Sequence, residues 1–250
     1  MALAGTDLQA VRWSWAELEQ KVRDLKPRVA VFDCDGTLWD GDAGLGFMNW
    51  SLEQGIVSRS TADWIDTRHR AYRAGDVSEV QICGEMVQIY AGLREDEMRR
   101  AAEEYVREFV RPRMFAEMFE IVARVREGGA EIWAVSSTNK WVVCEGVRAF
   151  GIPEERVLAA EVAVKGGVIG SDIVDVPTDE GKVSSLKRVG ITRPDGVFGN
   201  SIHDLAMLEI AANAFPINPS AGLLEAAARH GWGYYRREAA QGENGDVTGA

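Results

Sequence analysis

Short apolar, β-branched runs alternate along this chain with stretches whose apolar positions recur every three or four residues. The runs RVAVFD (28–33), EIWAV (131–135), GVFGN (196–200) and AFPIN (214–218) read as buried parallel strands, and GYYR (233–236) as a last one. VLAAEVAV (157–164) and VIGSDIV (168–174), joined by KGG, read as a hairpin. Helical periodicity fills 115–127, 139–150, the segment from about Gly181, 202–212 and 220–230. Strands that alternate with helices predict an α/β fold, a Rossmann-like parallel sheet with helices on both faces.

Two regions stand apart from that alternation. Residues 8–25 place Leu8, Val11, Trp15, Leu18, Val22 and Leu25 on one helical stripe, which Pro27 ends. The stripe is too short for a coiled coil, so a helix over 1–27 that docks on its own chain is preferred to one that pairs two chains. From Gly41 to Arg113 the pattern is helical throughout, and the block is too large for a connection. An inserted helical subdomain (41–113) is therefore expected between the two parts of the α/β core (28–40 and 114–237), with the tail from 238 to 250 disordered.

Composition narrows the function. The 250 residues carry a net charge of −11, from 39 acidic and 28 basic residues, which disfavours nucleic acid as a partner. Three cysteines without motif spacing imply neither a disulfide framework nor a zinc site. The start of the chain lacks the pattern of a signal peptide and no apolar run approaches the length of a membrane span, so a cytoplasmic monomer or homodimer is expected.

The candidate chemistry lies at the strand ends, where open parallel sheets place their sites. Asp33 and Asp35 follow the first strand, Ser136 and Ser137 follow EIWAV, Lys182 opens a helix, and GNSIHDLAML (199–208) follows GVF. Each alone has a plain reading as a turn former, loop residue or surface lysine. Together they are what phosphoryl transfer needs. Asp33 can attack phosphorus while Asp35 protonates the leaving oxygen. Lys182 and a serine hydroxyl can hold the other oxygens, and a hard cation such as Mg2+ can relieve repulsion between carboxylates and phosphate, with Asn200 and Asp204 as further oxygen ligands.

In this order the motifs resemble those of the haloacid dehalogenase superfamily, in particular its phosphoserine phosphatase-like group. DCDGTLW is similar to the first motif, WAVSST to the second, Lys182 matches the third and GNSIHDLAML the fourth. The resemblance implies Asp33 as nucleophile and metal ligand, and Asp35 as acid/base residue and ligand through its main-chain carbonyl. It also implies phosphate binding by Gly36, Thr37, Ser136, Ser137 and Lys182, and a helical lid from the insertion. Two departures qualify it. Asn200 stands where the family has a metal-binding aspartate, so Mg2+ should bind more weakly. Asp42 matches the acidic residue that receives a substrate amine, but no arginine occupies the position that receives a carboxylate; Arg94, Arg68, Arg70 or Arg73 could substitute.

An amine site alone suits an amino alcohol phosphate such as phosphoethanolamine or phosphocholine, with Trp39, Phe47, Trp50, Trp64 and Tyr90 as candidates for a cation-binding face or, for most of them, the core of the insertion. The expected activity is a Mg2+-dependent phosphatase acting on a small phosphorylated metabolite through an aspartyl phosphate. A phosphotransferase or mutase, or a phosphate-binding protein without turnover, are the alternatives.

Overall fold

The computed structural model describes residues 9–238; Leu8 and nearly all of the expected disordered tail lie outside them. A short strand, β1 (Arg12–Trp13), precedes helix α1 (Trp15–Leu25). The helix starts at Trp15 rather than near residue 8 because Ser14 forms a reciprocal capping box with Glu17, accepting from its N–H at 3.3 Å and donating its own to the carboxylate at 2.7 Å. Leu18 and Val22 are buried, and Arg124 pairs with Glu19 at 2.7 Å, so the stripe docks on the chain's own body.

Strand β2 (Val29–Phe32) is followed by α2 (Ala43–Glu53), α3 (Arg59–Arg73), α4 (Glu79–Gln88) and α5 (Glu95–Tyr105), with no strand between them. A π turn (Val106–Val110) and a 3-10 turn containing Pro112 end this block, as expected where a proline removes a helical N–H. Then come α6 (Ala116–Glu127), β3 (Glu131–Asn139), α7 (Lys140–Arg148), β4 (Val157–Lys165), β5 (Val168–Asp175), α8 (Glu180–Arg188), β6 (Gly196–Gly199), α9 (Leu205–Glu209), β7 (Ala214–Pro216), α10 (Ala221–His230) and β8 (Tyr234–Tyr235). The helix read over 202–212 is shorter than expected: a 3-10 turn at Ile202–Asp204 leads into α9, held by a Ser201 capping box.

The main sheet runs β5-β4-β3-β2-β6-β7, parallel except for the β4–β5 hairpin. Strand β8 pairs in parallel with β1 in a separate two-stranded sheet and meets the main one through a single parallel bridge, Tyr235 to Ile217 just past β7. Alternation along the strands fills both faces. Ala30, Phe32, Ile132, Ala134 and Phe198 face the core shared with α1, α6 and α7, where Phe198 stacks between Phe32 and Phe215 at 4.3 and 4.6 Å. Val31, Trp133, Val135 and Val197 face Leu186, Met207, Leu208 and Leu223 of α8, α9 and α10.

Central β2 has β3 on one side and β6 on the other, which is the switch point where an open sheet leaves a crevice at its carboxyl edge. The inserted helices reach over that edge, and the hairpin fastens them there. Gly92 N–H donates to Ile169 O at 2.8 Å, Ile169 N–H to Leu93 O at 2.9 Å and Glu95 N–H to Gly167 O at 3.0 Å.

Candidate active site

The carboxyl ends of β2, β3 and β6 and the first turn of α8 open into a cavity of about 900 Å3 lined by Asp33, Asp35, Gly36, Asp42, Ser136, Ser137, Lys182 and Asn200. Residues separated by up to 167 positions thus meet in one place.

Asp33, 5% exposed, follows directly on β2 and its N–H donates to Phe198 O of β6 at 2.9 Å. Its Oδ1 accepts from Lys182 Nζ at 2.7 Å and its Oδ2 from the Thr37 hydroxyl at 3.0 Å. Thr37 therefore steadies the carboxylate through its side chain. Lys182 is itself 2% exposed and also donates to Asp204 Oδ1 at 2.5 Å and to Val135 O at 3.2 Å. Burial opposes its charge, but Asp204 and Asp33 outweigh burial and raise its pKa, so the ammonium is permanent.

Asp35 sits where the chain turns into Gly36. Its Oδ1 accepts from Trp39 Nε1 at 2.5 Å and Ala43 N–H at 2.9 Å, and its Oδ2 from the Thr138 hydroxyl at 2.6 Å. Burial, reinforced by Asp42, pushes its pKa up to about 6 against these hydrogen bonds. A carboxyl group so tuned can hold a proton near neutrality and release it. Burial and then Asp204 push Asp33 up to about 7, with Lys182 pulling the other way. Asp33 and Asp204 thus share one buried ammonium and Asp35 has none, an imbalance that a cation would relieve.

Gly36 has φ +73, and a Cβ there would meet the Asn200 amide at 1.9 Å, so only glycine lets this loop pass. The same contact places the Asn200 side chain against the loop that carries Asp33 and Asp35.

Asp204 departs from its expected place as a metal ligand. It is fully buried, with Oδ1 on Lys182 and Oδ2 accepting from the N–H groups of Asn200 and Ser201, both at 2.9 Å. Its oxygens close the turn and orient the lysine instead of facing the cavity. Among the described residues no three His, Cys, Asp or Glu side chains cluster to hold a metal, so an oxygen-liganded cation would need the Asn200 amide and main-chain oxygens beside Asp33.

On the side of the inserted helices, Asp42 caps α2, accepting from Leu45 N–H at 2.8 Å through Oδ1, and still lines the cavity. His69, Tyr72, Arg73, Glu79, Ile82, Cys83 and Met86 line it too. Of the four candidate arginines, only Arg73 does so. Arg68 is held by Glu85 through two hydrogen bonds of 2.8 Å, Arg70 donates to Thr67, and Arg94 pairs with Asp96.

Of the two readings of the aromatic residues, the core one holds for most of them. Trp39, Phe47 and Tyr90 are buried in the core, Phe47 packs on Tyr90 and Tyr105 at 5.7 and 5.4 Å, Trp50 stacks on Phe47, and Trp64 is exposed. None of the five lines the cavity.

Several site residues carry weak sequence signals. Thr138 lies on the same strand face as Ser136, two residues on, which strand periodicity could have exposed. His203 and Asp179, 2.8 Å apart, tie the start of α8 to the turn after β6, and Asp179 adopts a left-handed φ of 49 to do so. Asn218 in INPS also has a left-handed φ, of 45, which asparagine tolerates.

The chain is similar to several known proteins. A curated histidinol-phosphatase from Neisseria meningitidis serogroup C (strain 8013) is 22% identical over 213 residues, covering 82% of this chain and 96% of that protein. Among solved structures, a Bordetella pertussis Tohama I protein of unknown function superposes with a TM-score of 0.74 at 24% identity, over 83% of this chain and 97% of that one. A substrate-bound phosphoserine phosphatase gives a TM-score of 0.56 at 14% identity, over 84% and 93%. The model of the haloacid dehalogenase-like hydrolase family matches residues 30–209, from β2 to the end of α9. With that match over most of its length and those three strand ends and the start of α8 gathered in one cavity, the chain belongs to the haloacid dehalogenase-like hydrolase family.

Proposed function

We propose that this hydrolase is a Mg2+-dependent phosphatase that cleaves a small, amine-bearing phosphomonoester through an aspartyl phosphate on Asp33. The observation that carries the chemistry is the buried cluster of Asp33, Lys182 and Thr37 at the floor of the cavity, with Asp35 beside it. Asp33 Oδ forms a bond to phosphorus as the ester oxygen leaves, and Asp35 gives that oxygen its proton. Asp35 then takes a proton from water, whose oxygen attacks the phosphorus and returns Asp33 to a carboxylate. Lys182 and the Ser136 hydroxyl hold the phosphoryl oxygens, whereas the Gly36 and Thr37 N–H groups, expected to join them, donate to Trp39 O and Cys34 O within the loop. Asp33, the Asp35 carbonyl and the Asn200 amide would hold Mg2+, which would supply the positive charge that lets the phosphate approach these carboxylates.

Exchange of a neutral amide for a carboxylate adds a unit of charge to a hard-oxygen site. Asn200→Asp is therefore expected to tighten Mg2+ binding about tenfold. Calorimetric titration checks this, and unchanged or weaker binding counts against Asn200 as a ligand.

The inserted helices select the substrate. Asp42 and Glu79 give their side of the cavity negative charge, which favours a cationic group a few ångströms from the phosphate. The Neisseria relative is named for histidinol phosphate, itself an amino alcohol phosphate. The test is a panel of phosphoethanolamine, phosphocholine, histidinol phosphate, phosphoserine and glycerol phosphate with Mg2+. Asp42→Asn should raise KM for the preferred amine about tenfold and leave glycerol phosphate within twofold. Equal effects on both would remove the amine site. Arg73, which lines the cavity and is in no ion pair among the described residues, favours phosphoserine as a second reading. Under it, Arg73→Gln would weaken phosphoserine alone.

A further inference from the structure

The family match stops at residue 209, yet the cavity is also lined by Asn218, Arg236 and Arg237. Asn218 lies just past β7, with its backbone in the left-handed region (φ 45). Its N–H donates to Tyr235 O at 2.7 Å, its Oδ1 accepts from Arg237 N–H at 2.9 Å, and its Nδ2 donates to Gly36 O at 3.2 Å. A donor facing a carbonyl and an acceptor facing an N–H fix the amide's orientation, since a flip would oppose like groups at both ends. The flanking residues bind the neighbouring loop: Ile217 N–H donates to Gly199 O at 2.8 Å and Ser220 N–H to Asn200 O at 2.7 Å.

We propose that Asn218 is a positioning residue for catalysis, which pins the Gly36–Thr37 peptide and holds it in register with Asn200. The reading rests on the phosphatase chemistry above. A peptide that follows glycine is easily rotated because no Cβ resists, and this one carries Thr37, whose hydroxyl donates to Asp33 Oδ2 at 3.0 Å. A hydrogen bond on its carbonyl oxygen fixes the whole plane. Asn218 is anchored in turn by the terminal strand pair. Strand β8 is held by β1, Tyr234 N–H donates to Val11 O at 2.9 Å, and the Arg12 guanidinium donates to Arg236 O at 2.9 Å. The amino-terminal segment, which precedes every motif, is by this route part of the scaffold of the nucleophile loop.

Asn218→Gly keeps the left-handed backbone and the bond to Tyr235 but deletes the amide. Asn218→Asp keeps the acceptor for Arg237 and faces Gly36 O with a second acceptor in place of the donor. Both are expected to lower kcat by about tenfold or more with KM within twofold, as loss of alignment does. Hydrogen exchange of the full chain should speed up over residues 34–39, where the Gly36, Thr37 and Leu38 amides are bonded to Trp39 O and Cys34 O, and stay unchanged over α10. Arg12→Ala should show the same pattern at smaller amplitude.

Wild-type kcat and exchange in Asn218→Asp would overturn the positioning role. An unchanged loop in Arg12→Ala would overturn its extension to the amino terminus. If the wild-type chain hydrolyses none of the phosphomonoesters, the functional reading fails, and the exchange measurement still decides whether Asn218 holds the loop.

Discussion

Asp33→Asn is expected to lower kcat for an aryl phosphate by more than about 1,000-fold, because the amide cannot form the covalent intermediate while every other group stays in place. Hydrolysis at the wild-type rate would dismiss Asp33 as nucleophile. The substitution has a second, separable consequence for stability in chelator. Burial raises Asp33 from 3.8 to about 7, so the fold favours its neutral form. The stability associated with that preference is present below about pH 4 and is lost as pH rises through about 7. Asparagine stays neutral throughout, so the variant should melt above the wild type at pH 8, with the difference closing by about pH 4. Thermal melts at these two values measure it, and the same sign of activity loss with no pH-dependent gain would mean that Lys182 already compensates Asp33 fully.

Lys182→Met is expected to remove activity and to cost about 3–5 kcal/mol at neutral pH, since it leaves two buried carboxylates without their partner. Asp33 and Asp204 lie 2.7 and 2.5 Å from the ammonium, and none of the three side chains is more than 7% exposed. The raised pKa of Lys182 means that its stabilisation is fully present below the unfolded value of 10.5 and lost only as pH rises through the folded one. The deficit of the variant should therefore persist from neutrality up to that range and shrink towards pH 4, where protonation neutralises the stranded aspartates. Denaturant titrations of metal-free protein across that range check both magnitude and sign. A loss of activity without the stability change would place Lys182 in contact with substrate alone and remove its structural role. Arginine should not rescue the site, because a planar guanidinium does not fit a pocket shaped to a point charge.

Much of the architecture was legible because it is local. The β-branched runs and three-to-four periodicities are short-range signals, and each strand end carries its polar group within a few residues, which is why Asp33, Asp35, Ser136 and Lys182 could be picked out from their spacing and order. The β4–β5 hairpin was legible from two strand-like runs and a glycine pair. Less local features were misread. The amino-terminal helix looked longer than it is because Val11 fits the stripe, whereas Ser14 stops the helix and frees Arg12 and Trp13 for pairing with β8. The tyrosines of β8 read as one more strand of the main sheet for the same reason: a run of apolar residues shows that a strand forms but not which neighbour it pairs with.

By itself, then, the sequence determined the class of fold, the order of the elements and the residue types available at the carboxyl edge, since backbone propensity and apolar period act over one or two turns of chain. Tertiary structure decided what each side chain faces. It turned Asp204 inward onto Lys182, tied Arg68 to Glu85 and left Arg73 at the cavity, sank Trp39, Phe47 and Tyr90 into the core, and set Asn218 against Gly36 across 182 positions. Those outcomes depend on hydrogen-bond partners and charges brought together only when distant segments pack. A buried carboxylate or amide takes whichever partner the fold delivers, because leaving it unpaired costs more than any local preference can supply.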